Sequence, residues 1–449
     1  MTAFKLARPL ALSMTGSVSV SGDIVIGIPS WVPDAGNFAD VSTETADADD
    51  PCPANNCTYS GTGGFPSIWT AWNGGVFAPT LGSYGAMLCF GGGRQNYDGN
   101  EVVCYDLAAR TWSLLSDPAP YGTVTSGDSS SVNVNCSIYG SFPDDTPYPN
   151  HTYHGTCFLP SEAGGGTLGS FVFLGHPQNT VNITTWNLWR FDLSTREWTR
   201  WLMPNNFGQF YNNALAYDPS RLGLWLAAPN SAVSSSNIRL WFIDFVAQTV
   251  TQVGIDSAGA GAGVDFYYPA LTYVPEKDCL VLVKSGSGLP LICLDLSGLG
   301  STITAGEVCT SHTITQSGTK CPSVWAYPDG TAPSSPTDLT YLNYASNDRL
   351  EYCERDGKLY ALDLYSGTTD AILYSLAPPS GAVTGTWTWA SETLTAQSAE
   401  ALALRASTMG DVRDKPLMGR LRYVPELLSF VLTDAADLPV QLLRPAAFT

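Results

Sequence analysis

The chain has 449 residues, of which 44% are apolar and only 14% charged, and its 40 acidic against 21 basic side chains give a net charge of −19. That balance, without any cluster of Lys and Arg, excludes a sequence-reading nucleic-acid surface and an electrostatic hold on an anionic membrane, both of which need concentrated positive charge. No apolar run approaches the roughly 18–20 residues that a membrane-crossing helix requires, and the abundance of Gly, Ser, Thr and Pro points to an all-β fold with many turns.

Residues 1–65 read as an extended N-terminal arm. Lys5 and Arg8 precede Pro9-Leu10-Ala11-Leu12, an apolar run too short for a secretory signal. Ser17-Val18-Ser19-Val20-Ser21 alternates strictly and Ile24-Val25-Ile26-Gly27-Ile28 is apolar; both read as edge strands. An acidic loop follows over 39–53. Its Asp47, Asp49 and Asp50 lack the turn Gly and distant Glu of a calcium loop, so no metal site is expected there. An ordered arm of this composition is expected to be pinned to the body of the protein or to a neighbouring subunit.

Residues 66–449 carry a repeat. An aromatic residue, any residue and Pro recur at Phe77-Ala78-Pro79, Phe158-Leu159-Pro160, Tyr217-Asp218-Pro219, Tyr273-Val274-Pro275 and Tyr423-Val424-Pro425, with a degenerate copy at Tyr341-Leu342-Asn343. Most copies are followed by an apolar run such as Cys279-Leu280-Val281-Leu282-Val283. Pro fixes φ and cannot donate to a ladder, so the phrase marks a turn between two strands. A second phrase, apolar-Asp-apolar, keeps step with the first and centres on Asp106, Asp192, Asp244, Asp295 and Asp363. In its first two copies a Trp follows the aromatic at a fixed offset, Tyr105 to Trp112 and Phe191 to Trp198. This reads as a third strand, a turn held by Asp bonding to backbone N–H groups, and a fourth strand. Four strands repeated at intervals of roughly 55 to 80 residues are the signature of a β-propeller.

The stretch Ala86-Met87-Leu88-Cys89-Phe90-Gly91-Gly92, with Tyr97, Tyr105-Asp106-Leu107 and Trp112, resembles a kelch repeat, and Phe173-Leu174-Gly175-His176 with Phe191 to Trp198 is similar with one Gly lost. The resemblance covers roughly residues 66 to 445 and implies a kelch-like β-propeller, the fold shared by galactose oxidase; with the six-fold recurrence of the repeat, the expectation is a six-bladed kelch-like β-propeller. That oxidase needs a copper set of two His, two Tyr and a Cys, which cannot be placed on this sequence, so neither its activity nor its cofactor is carried over. The Asp-box of sialidases finds only its end, in Ala109-Arg110-Thr111-Trp112.

The last repeat supplies three strands before the sequence ends. Ser67-Ile68-Trp69-Thr70-Ala71-Trp72 is similar to the fourth strands Trp112-Ser113-Leu114 and Trp198-Thr199-Arg200-Trp201. It is therefore expected to close the ring on the C-terminal blade, with Trp69 and Trp72 as its packing residues. Insertions at about 117–150, 304–336 and 371–416 fall at or near the crossings between blades, so one face should be the decorated one. Ser391 to Arg405 reads as a helix, capped by Ser391 and rich in Ala, Leu, Glu and Gln.

The 11 Cys include no CxxC, and none of the four His stands at zinc-ligand spacing. Cys52 with Cys57, and Cys309 with Cys321, each bracket a short loop and read as disulfides, which implies a setting outside the reducing cytosol. Cys89 with Cys104, and Cys279 with Cys293, fall on strands expected to be neighbours. The sequons at Asn56, Asn135, Asn150 and Asn182 read as chance occurrences. With no catalytic set, phosphate loop or nucleophile elbow, two readings stand. The first is a non-enzymatic structural and interaction protein of a large assembly. This would be a bacteriophage virion component of tail, neck or nozzle type, oligomeric in the particle, meeting partners through the arm and insertions; some podophage tail nozzle proteins are similar in carrying propellers. The second is a secreted carbohydrate-binding or carbohydrate-active propeller, suggested by its 13 Trp.

Overall fold

The computed structural model describes residues 27–52, 57, 63–71, 73–93, 96–120, 141–175, 187–203, 213–229, 238–256, 269–283, 291–318, 350–363, 371–397 and 417–449. The regular structure of the described residues is almost wholly β. The arm contributes β1 (Asn37–Asp40), and the single-turn helix α1 (Ser67–Thr70) follows it. Antiparallel runs of strands follow. The first run is β2 (Gly75–Ala78), β3 (Ala86–Cys89), β4 (Val103–Asp106) and β5 (Thr111–Leu114). The second is β6 (Thr156–Leu159), β7 (Ser170–Gly175), β8 (Asn187–Asp192) and β9 (Glu197–Leu202). The third is β10 (Ala214–Asp218), β11 (Gly223–Pro229), β12 (Ile238–Asp244) and β13 (Thr249–Asp256). The fourth is β14 (Ala270–Val274), β15 (Cys279–Val283), β16 (Ile292–Asp295) and β17 (Val308–Thr313). After β18 (Thr315–Gly318), the fifth is β19 (Glu351–Cys353), β20 (Lys358–Asp363), β21 (Ala371–Ala377) and β22 (Thr386–Ala396). The last is β23 (Leu421–Val424), β24 (Ser429–Leu432) and β25 (Gln441–Arg444), completed by β1.

The first strand of each run lies against the first strand of the next: β2 on β6, β6 on β10, β10 on β14, β14 on β19, β19 on β23, and β23 back on β2. Each of the six large apolar clusters fills the space between two successive runs. Val76 and Leu88 meet Phe173 and Trp189 in one such layer, and Met87, Tyr105 and Trp112 meet Val431 and Leu442 in the layer that joins the last run to the first. The core is thus a series of layers around a closed circuit, which is the arrangement of a β-propeller. Two neighbouring pairs of runs also bond at their outer edges. β13 pairs in parallel with β17, and β1 with β22, so the ladders merge into sheets of eight and nine strands beside two of four.

Pro79, Pro160, Pro219, Pro275 and Pro425 each stand directly after the first strand of a run. Pro275 and Pro425 open short 3-10 turns that end on left-handed Asp278 (φ 43°) and Leu428 (φ 50°). The fifth run departs from the expected phrase. Its first strand is β19, so Tyr352-Cys353-Glu354 takes the place of aromatic-x-Pro, and Tyr341-Leu342-Asn343 lies outside the described residues.

Several expectations are corrected. Residues 67–70 are helical and do not pair as a strand: Pro66 already has helical angles (φ −55°, ψ −19°), and the side chain of Trp69 turns into the core layer between the last and first runs. The last run is instead completed by β1, where Phe38 lies fully buried. The region 391–396 is strand, not helix. Thr386-Trp387-Thr388-Trp389 alternates exposed and buried, Leu394 is buried again, and pairing with β21 carries the strand through residues of good helix propensity. The stretch 304–336 holds β17, the fourth strand of its run, and 371–416 holds β21 and β22.

Candidate functional site

The periodic Asp residues sit at turns between third and fourth strands. The Asp106 carboxylate accepts from the N–H groups of Ala108 (2.8 Å) and Ala109 (2.9 Å), and that of Asp192 from Ser194 (2.8 Å) and Thr195 (3.2 Å). Asp244 accepts from Ala247 N–H at 2.8 Å, and Asp295 from both the N–H and the hydroxyl of Ser297. Asp363 differs, because it ends a second strand. Gly166 (φ 80°) packs onto Asp192, where an added Cβ would come within 2.2 Å of the carboxylate. These carboxylates are engaged in holding backbone, and several links at this end of the runs are short, such as 107–110, 193–196, 219–222 and 245–248, while 160–169 and 296–307 are longer.

The connections at the opposite end are long. In an antiparallel run, the link between second and third strands and the crossing to the next run leave from the same end. The stretches 115–155, 314–350 and 397–420 are all such crossings. The longest connections therefore leave from one end of the runs, and the links at the other end are shorter; residues 121–140, 319–349 and 398–416 of those crossings lie outside the described residues.

The arm laces the last run to the first. β1 pairs antiparallel with β25, from Asn37 opposite Arg444 to Asp40 opposite Gln441. Beyond it, Val41 N–H donates to Val440 O, Thr43 N–H to Arg110 O, and Asp47 N–H to Ala436 O, while Trp112 N–H donates to the Glu44 carboxylate at 3.1 Å. Trp69 stands edge-on to Trp112 and Phe65, both with centroids at 5.5 Å; Trp72 lies outside the described residues. Two buried arginines of the last run reach across the same seam. Arg420 donates to Asn73 O and Thr433 O, and Arg422 to Gly75 O (2.7 Å) and the Glu351 carboxylate (3.0 Å). Asn73 itself ties Ser67 O to Thr152 N–H. Burial and the neighbouring Asp437 and Asp50 raise Asp47, while burial and Glu44 raise Asp49. Among the described residues, no group of three or more His, Cys, Asp or Glu is placed to hold a metal.

The described parts of the links 90–102 and 141–155 hold a buried polar group. Tyr97 donates to Glu101 (2.6 Å) and Tyr148 to Asp98 (3.1 Å), and His151 lies 3.2 Å from the Asn96 side-chain oxygen. Glu101 is fully buried, and burial pushes its carboxyl up to about 7 despite the Tyr97 hydroxyl. The Gly pair of the kelch resemblance serves packing here. Gly91 (φ 129°) and Gly92 (φ 107°) are left-handed, and a Cβ on Gly91 would lie 2.2 Å from the Asn73 side-chain oxygen. His154 and Asn150 are also buried, the latter in a position that no glycan could reach; His176 is outside the described residues, and His312 sits on β17.

The cysteines divide. Cys52 and Cys57 form a disulfide with Cα atoms 5.4 Å apart, closing a loop where the arm leaves the seam. The expected partner bridge is corrected: Cys309 is a free thiol buried in the core on β17, and Cys321 lies outside the described residues. Burial pushes the Cys309 thiol up to about 12 and that of Cys89 to about 11, so both are inert.

A cleft of about 360 Å³ opens between the first and second runs. One wall is Ser116, Asp117 and Ala119, which follow β5; a second is Asp144, Asp145 and Thr146 of the crossing. The third is Arg196, Glu197 and Trp198, from the turn into β9. Asn100 pins two of these walls, accepting from Ala119 N–H (2.7 Å) and donating to the Thr146 hydroxyl (2.9 Å) and Pro147 O (3.0 Å). Arg200 ties the crossing to β9 through Asp145 (3.1 Å) and the Ser141 hydroxyl. No residue of this cleft belongs to the sites expected from sequence, because its walls come from positions around 100, 117, 145 and 197.

Ladders, layers and circuit define an all-β chain with propeller order. No protein-family model matches the chain, and no curated protein matches its sequence. Among solved structures it is similar to a quinoprotein alcohol dehydrogenase-like protein from Bacteroides thetaiotaomicron, at 8% identity and a TM-score of 0.30, over 73% of this chain and 68% of that one. It is also similar to the WD40 domain of SCAP from fission yeast, at 7% identity and a TM-score of 0.28, over 66% of this chain and 50% of that one. Likeness at this level assigns no activity.

Proposed function

We propose that the chain is a six-bladed, kelch-like β-propeller that serves as a non-enzymatic rigid hub in a larger assembly, in the setting of a virion tail or neck component. Each four-stranded run is one blade, and the last blade takes its outer strand from the arm. The observation that carries this reading is the asymmetry of the connections. Crossings 115–155, 314–350 and 397–420 leave one face, while the other holds turns such as 107–110 and 219–222. A scaffold closed at its seam by β1, Arg420 and Arg422 can present such a face without deforming. The net charge of −19 suits a surface that meets other proteins and repels nucleic acid.

The test replaces residues 121–140 with a short Gly-Ser linker and follows folding and particle incorporation separately. Unchanged thermal unfolding with loss of the protein from purified particles is expected. Full incorporation of the linker variant, or absence of the wild-type protein from particles, contradicts the reading.

A further inference from the structure

We propose that the cleft between the first and second runs binds a neutral saccharide. The inference goes beyond the hub reading and does not depend on it. The three walls are tied to one another before any ligand arrives: Asn100 joins the wall at Ala119 to that at Thr146, and Arg200 of β9 joins Ser141 and Asp145 of the crossing to the second run. Preformed walls spare a ligand the cost of ordering them. Trp198 lines the cleft, and its half-buried ring is packed among Phe90 (centroids 5.3 Å), Phe191 (5.0 Å), Phe171, Phe173 and Trp189. Its indole is thus a rigid, half-buried apolar surface of the kind that the C–H face of a sugar ring covers.

The polar groups around it match hydroxyls. Asp117 and Glu197 are exposed, and their carboxylates have no hydrogen-bond partner among the described residues. Asp144 uses one carboxylate oxygen on Thr146, whose N–H and hydroxyl it accepts at 3.1 and 2.7 Å. Arg196, held at φ 60° by its turn, supplies a donor beside these acceptors. A vicinal diol offers donors and acceptors together and fits such a mixed set. The excess of carboxylates over guanidinium groups disfavours phosphorylated, sulfated or carboxylated ligands. At about 360 Å³ the cleft lies near the small end of ligand sites and suits roughly one or two sugar rings.

The full chain is applied to an array of neutral, sialylated and sulfated glycans, and the best neutral glycan is then titrated by calorimetry. Retention of neutral glycans is expected, with at least a tenfold rise in Kd for the D117N/E197Q double variant and none for Glu426→Gln, which lies at a turn of the last run. Unfolding temperatures of the variants confirm that folding is intact. The proposal is overturned if no neutral glycan is retained, if only anionic glycans bind, or if D117N/E197Q binds as tightly as the wild type. These outcomes leave particle incorporation untouched, so failure here is distinct from failure of the hub reading.

Discussion

Phe38 stands opposite Leu443 across the ladder that joins the arm to the last strand of the fold. Both are fully buried in the layer shared with Tyr360, Tyr423 and Phe430. A side chain far from the repeats in sequence thereby completes the core of the last of them. Phe38→Ala is expected to cost about 3–5 kcal/mol in chemical unfolding. A loss below about 1 kcal/mol would mean that β1 does not close this sheet.

Truncation separates the arm's two segments. A chain starting at residue 27 keeps β1 and is expected to unfold as cooperatively as the whole protein. A chain starting at residue 66 leaves β25 and the Thr395–Ala396 end of β22 without their β1 partner and is expected to aggregate or lose cooperativity. Equal unfolding of both in a calorimeter would show that closure does not need the arm.

Glu101 makes stability depend on pH. Its carboxyl titrates near 7 when folded against an ordinary value of 4.5, so the folded state binds the proton more tightly. The group costs nothing below the unfolded value, and the cost grows as pH rises from about 4.5 to 7. Glu101→Gln, which keeps an acceptor for Tyr97, should therefore match the wild type at pH 4 and exceed it at pH 8 by on the order of 2–3 kcal/mol. Parallel stability curves for the two proteins would contradict this.

Arg221 clamps the third run to the fourth. It donates to Asp218 (2.8 Å) and to both oxygens of Asp278 (2.7 and 2.8 Å), while Trp225 donates to Asp218 at 2.9 Å. Burial works against the Asp278 charge, but Arg221 and the Tyr273 hydroxyl hold its carboxyl below the ordinary value of 3.8. That contribution is complete above about pH 4 and is lost as pH falls below it. Arg221→Ala leaves the buried Asp218 charge without its guanidinium and is expected to cost about 3–5 kcal/mol at pH 7. A smaller effect at pH 3, read from urea unfolding, is the accompanying sign.

Glycine substitutions test the turn geometry. Gly166→Ala forces a Cβ against Asp192 in a left-handed conformation and is expected to cost about 1–3 kcal/mol. Gly298→Ala meets open space and should lie within about 0.5 kcal/mol of the wild type.

The repeat was legible in sequence because its turns are made by residues with one physical job. Pro after five of the six first strands and Asp after most third strands mark boundaries that side-chain packing cannot move. Closure was not legible. Asn37-Phe38-Ala39-Asp40 is too short to show a period, while Ser67-Ile68-Trp69 imitates a fourth strand but follows a helical Pro66. The strand at 386–396 was hidden by helix-forming residues that cross-strand partners override. The cleft was invisible because its walls meet only through the contact of two runs; of its residues only Trp198 belongs to a local motif, and that motif marks a fourth strand rather than a site.

Hydrogen exchange at the amides of residues 36–41 tests the closed ring most directly. The N–H groups of Gly36 and Val41 donate to Arg444 O and Val440 O at the two ends of the ladder between β1 and β25. Protection of this ladder equal to that of β24 is the predicted result. Exchange as fast as that of an exposed loop would contradict the closure on which the rigid hub depends.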